Sequence, residues 1–170
     1  MAALLDERKF IVERKNAELA EIGLEMSTNQ AEIDAAMGER DAAINEIIVH
    51  IEKVTGSEFL YIIGYNPKFT DKEVRLLEVI SVIIEKRGDK DGFNIRDHSH
   101  FFTDRSELIA MLDNRRHFKF NDLCFTKFKD FINDHQLQDF KDKPLFKYLF
   151  QYIIELYRKL NIKNILKNTY

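Results

Sequence analysis

The chain has 170 residues, 45% of them apolar, with 14 Phe, 6 Tyr, a formal net charge of −3 and a pI near 6.0. That apolar share supports a real core and excludes global disorder, while 2 Pro and 6 Gly point to regular structure with short connections. A single cysteine, Cys124, excludes an intrachain disulfide framework, and no apolar run reaches the roughly eighteen residues of a membrane span.

Residues 2–55 read as helix almost throughout, free of proline and with Glu, Lys and Arg at the outward positions. Its opening, Met-Ala-Ala-Leu-Leu-Asp-Glu-Arg, turns charged at once, unlike a signal peptide, so the cytoplasm is the expected location. Apolar residues recur every seven positions at Leu5, Val12, Leu19, Met26 and Ile33. From there a fuller seam runs Ile33, Met37, Arg40, Ile44, Ile47, Ile51 and Val54, alternating steps of four and three in the a/d manner of a coiled coil. Before Ile33 the alternate positions Asn16, Gly23 and Gln30 are poor packers, giving a shallower stripe. Ser27-Thr28-Asn29-Gln30 resembles a capping box. The segment is therefore either one helix of about 75–80 Å or a hairpin broken there, and the unbroken seven-residue register favours continuity. Arg40 would be costly in a buried dimer unless paired, or would set register.

Thr55-Gly56-Ser57 is expected to end this helix, with Gly56 available as a left-handed cap. The aromatic and β-branched run Phe59–Tyr65 reads as a short strand or a buried connector. Thr70-Asp-Lys-Glu73 is a capping box for a helix to about Arg87, stopped by Gly88. Its stripe of Leu76, Leu77, Ile80, Ile83 and Ile84, widened by three valines, belongs at a domain centre. Phe93–Ile95 would be a second short strand. Further helices are expected from Thr103 to about Asn114, from Asn121-Asp122 onward with Cys124 in the core, and from Lys143-Pro144 with Pro in the first turn.

The predicted fold class is mainly α. A long coiled-coil-like N-terminal helix or helical hairpin over residues 1–55 joins a compact α-helical domain over residues 56–170, with a minor two-stranded β element.

Motifs for chemistry are sparse. Asp97-His98-Ser99-His100 holds a His-x-His that a strand would present on one face, as a metal-dependent hydrolase needs. It lacks a His-Glu-x-x-His or a second histidine pair, and Phe101-Phe102 follow it, so loop residues capping the next helix are the preferred reading. Asp89-Lys-Asp-Gly92 fails as a calcium loop because Arg87 and His98 stand where ligands belong. Phosphate loops and nucleophile elbows are absent. No catalytic residue, metal or cofactor is expected.

Charge is unevenly spread: residues 1–55 hold 12 acidic and 6 basic side chains, and residues 115–170 the reverse, 6 and 12. In the basic half Arg115, Arg116, Lys119, Lys127 and Lys129 are interleaved with Phe, a pattern that suits phosphate contact and base stacking. A solvated reverse face of a Phe-rich core explains the same pattern, and five aspartates interrupt it.

The favoured expectation is a non-catalytic assembly, adaptor or inhibitory factor. It acts through protein–protein contact at the seam Ile33, Met37, Arg40, Ile44, Ile47, Ile51 and Val54, with itself or another protein, and with no membrane. Richness in Phe, Ile, Lys and Asn is compatible with a phage or low-GC bacterial source. Binding of nucleic acid and hydrolysis at His98/His100 are the alternatives.

Overall fold

A computed structural model describes residues 30–64, 69–86 and 99–167. They form α1 (Gln30–Lys53), α2 (Gly56–Ile63), α3 (Asp71–Glu85), a 3-10 turn (Ser99–Phe102), α4 (Arg105–Arg115), α5 (Asp122–Asp134), a second 3-10 turn (Leu137–Phe140) and α6 (Pro144–Lys167). The architecture is mainly α, with no strand among the described residues. The chain divides into two compact units: a larger one of residues 43–157, and a smaller one of residues 1–42 with 158–170.

In the larger unit α3 packs on α4 and α5, and the first 3-10 turn packs on α2 and α4. The apolar girth of α3 explains its place: Leu76, Leu77, Ile80 and Ile83 are wholly buried, and Val79, Val82 and Ile84 nearly so. Thr70 opens it as expected, its hydroxyl accepting from the Glu73 N–H while the Glu73 carboxylate accepts from the Thr70 N–H at 2.9 Å. The helix ends sooner than Gly88. Lys86 takes a left-handed conformation (φ 61°), costly for a side chain with a Cβ. Its N–H donates to the Val82 carbonyl and its ammonium lies 4.6 Å from the Phe118 ring centroid, which offsets that cost.

Two expectations are corrected. The described part of the run Phe59–Tyr65 is no strand: Gly56–Ile63 is helical, with Phe59 and Ile62 buried three residues apart and Leu60 exposed, a helical spacing. Gly56 begins that helix after extended Thr55, instead of capping α1. Phe93–Ile95 lies outside the described residues, as do Leu5 to Met26 and, of the Ser27–Gln30 break, all but Gln30. Asn121 and Pro144 stand at helix starts as expected, and Cys124 is fully buried.

Several helix ends in the larger unit are completed by side chains from other helices. Arg105 donates to the Glu52 carbonyl at the end of α1 (2.7 Å) while its guanidinium lies over the Phe59 ring. Arg115 donates twice, from Nε and Nη2, to the Ile84 carbonyl at the end of α3 (3.1 and 2.8 Å). Tyr152 of α6, fully buried, donates to the Leu112 carbonyl of α4 at 2.5 Å. Glu58 of α2 accepts from the Leu145 N–H in the first turn of α6 at 2.8 Å. Each satisfies a backbone group that its own helix leaves unpaired or places near its end.

Tyr152→Phe removes the donor and strands a buried carbonyl, so it should cost about 1–2 kcal/mol. At roughly 2–4 °C per kcal/mol for a chain of this size, calorimetry should show a clear fall in Tm; an unchanged Tm would mean the bond contributes nothing.

Candidate interaction surfaces

The seam read from the sequence does not stay on one kind of surface. In the larger unit Ile44 and Ile51 are wholly buried and Ile47 and Val54 are 7% exposed, so this part is consumed by the chain's own core. Here α1 lies against α6, with His50 stacked on Tyr148 at 5.0 Å and a cleft of about 430 Å³ between Ala43–His50 and Lys147–Glu155. In the smaller unit Ile33, Met37 and Arg40 are only half-buried, and Arg40 approaches Glu39 at 3.8 Å. Beside them lies a buried ion pair that the sequence did not announce: Lys159, 3% exposed, donates to Asp41 at 2.6 Å.

The basic residues divide by role. Arg115 is held on the Ile84 carbonyl, and Arg116, 8% exposed, donates to the Asp113 carboxylate and carbonyl of its own helix. Both guanidinium groups are committed to the fold, which leaves Lys119 and Lys129 exposed. Lys127 is half-buried in a shallow hollow of about 170 Å³ that also contains Glu78, Asp130 and Asp134. His98 lies outside the described residues; His100 is exposed with its ring tilted against Phe101. Among the described residues no three His, Cys, Asp or Glu side chains gather as a metal site, and no helix is long and apolar enough to cross a membrane.

A polar node joins α2, α3 and the start of α6. Glu73, 5% exposed, accepts from the Thr70 N–H through one oxygen and from the Lys143 ammonium at 2.6 Å through the other. That ammonium sits 3.9 Å from the Tyr61 ring centroid, and Tyr61, Phe69 and Phe146 pack edge to face around it. Burial alone would lower the Lys143 pKa, but hydrogen bonds to Glu73 and Tyr61 outweigh it and hold the group above 10.5. Nearby, Lys72 donates to Asp139 at 2.7 Å. That bond first, then one from the Gln136 N–H, holds the Asp139 carboxyl below 3.8. Glu73 was legible as a cap residue, but its second bond, to a lysine seventy positions away, has no local signal.

No family model, curated protein or solved structure matches the chain.

Two measurements follow. Removing Asp41 as Asp41→Ala leaves a buried ammonium; a fully buried pair would lose about 3–5 kcal/mol, and partial exposure of Asp41 reduces this to about 2–3. Lys159→Met should instead stay within about 1 kcal/mol of the parent, and equal losses in urea titrations would contradict a desolvated lysine. Against pH, burial drives the Tyr152 phenol far above its ordinary 10.0, with Arg116 and Arg115 pulling it back only in part. The unfolded chain thus releases protons from Tyr152 and Lys143 before the folded one does, and both contributions, full below about pH 10, fade as pH rises. The Asp139 contribution is present above 3.8 and fades below it. Urea midpoints should therefore be flat near neutrality and fall at both extremes, with Tyr152→Phe blunting the alkaline fall.

Proposed function

We propose that the protein acts without catalysis, through protein–protein contact, as an assembly, adaptor or inhibitory factor whose N-terminal helical segment pairs in coiled-coil fashion with another helix, in the first instance that of a second copy. The observation that carries this reading is the change in burial along one stripe of α1. Ile44 and Ile51 are wholly buried, whereas Met37 and Ile33, two and three steps before Ile44 in the same four-and-three register, keep part of their surface in water. Half-covered Ile and Met at seam positions gain from a further helix; wholly covered ones have nothing left to gain. The interaction surface of the segment is therefore its earlier part, about Ile33 and Met37, and the later seam residues hold the fold.

Light scattering on the full chain should give a mass above the 20.1 kDa monomer. Replacing Ile33 and Met37 together by Lys should lower that mass with little change in helicity. Ile44→Lys should instead lower the melting temperature, because it places a charge in the core. An unchanged mass after the double replacement would overturn the assignment to this stripe.

A further inference from the structure

A small cleft opens between α2 and the start of α6, and α2 also carries an exposed side chain of a size to fill it. The cleft, about 180 Å³, is lined by Ser57, Glu58, Tyr61, Lys143 and Phe146. It is smaller than the roughly 300–1,000 Å³ of sites that take drug-sized ligands, and its lining is mainly apolar, with Tyr61 and Phe146 among its walls. Leu60, one residue from Tyr61 and three from Ser57, is 62% exposed, the most of any large apolar side chain among the described residues. A lone exposed leucine needs no explanation; one standing beside an aromatic-walled cleft of side-chain size does.

We propose that α2 is a self-association face on which Leu60 of each copy seats in the cleft of the other about a two-fold axis. The knob is on α2 and the hole lies beside it, between α2 and the start of α6, so a single isologous contact can fill both clefts, as a two-fold interface requires. The outward line Ser57, Leu60 and Gly64 puts small residues on either side of the knob, so two α2 helices can approach closely. Charge fits the same occupant. The rim holds one ammonium, Lys143, already bonded to Glu73, and one carboxylate, Glu58, already accepting from the Leu145 N–H. Two such rims meet with no excess of like charge, whereas a strongly acidic or basic partner would find no unmet opposite charge there. The face is small beside the roughly 1,200–2,000 Å² of stable complexes, so the contact is weak and concentration-dependent. It is separate from the α1 stripe, and a chain with both contacts would be multivalent.

Sedimentation equilibrium in the background carrying lysines in place of Ile33 and Met37 isolates the α2 contact from the other. There the average mass should still rise with concentration, and Leu60→Asp should abolish that rise, with circular dichroism and Tm unchanged because the residue is exposed. A Ser57→Cys chain mixed with a Leu60→Cys chain should form the mixed disulfide under mild oxidation in preference to either homodimer. A background mass that stays monomeric at every concentration, or association that Leu60→Asp leaves intact, overturns the proposal. Preferential Leu60→Cys homodimers would place leucine against leucine and overturn the knob-in-cleft geometry.

Discussion

The larger unit depends on one constraint: a helix leaves backbone donors at its start and acceptors at its end, and a buried end must find partners. Here many partners come from other helices. Arg105 serves α1, Arg115 serves α3, Glu58 serves α6 and Tyr152 serves α4. Each bond fixes where one helix stops against another, which non-directional packing of leucines and phenylalanines cannot do alone. The aromatic core then fills the space so defined, with Phe131 and Phe140 packed on Phe150 and Phe120 on Phe128.

Two charged side chains are better understood in this light. Arg115 and Arg116 sit in the most basic-looking stretch of the chain, yet both spend their guanidinium groups on carbonyl or carboxylate oxygens of the fold. Arg suits this task because a planar fork can hold one carbonyl from two nitrogens, as Arg115 does. A run of basic letters thus records a structural requirement here as much as any attraction to an outside partner.

How much could be read in advance follows from the range of each signal. The capping box at Thr70–Glu73, the Asn121 and Pro144 starts, the apolar girth of α3 and the burial of Cys124 are local, and all were legible. Phe59–Tyr65 misled because β-branched and aromatic residues suit a strand as well as a buried helix, and a run so short carries no decisive period. The helix there is held by contacts from afar, Arg105 over Phe59 and Leu145 on Glu58, which have no trace in the neighbouring letters. The heptad seam was visible, but not the point along it at which the chain's own core takes over. The Asp41–Lys159 pair was likewise invisible, since 118 positions separate its members.

Those separations also set the order of events during synthesis. Glu58 meets its donor 87 residues later, and Glu73 meets Lys143 after 70. Contacts that far apart are slow to find and contribute nothing until the intervening chain is present. While a ribosome is still extending the chain, α3 can already pack on α4 and α5, but Glu58 and Glu73 wait for their partners until the first turn of α6 has emerged. The larger unit is therefore completed late, by the arrival of α6, and α2 spends the longest time before its polar partner appears.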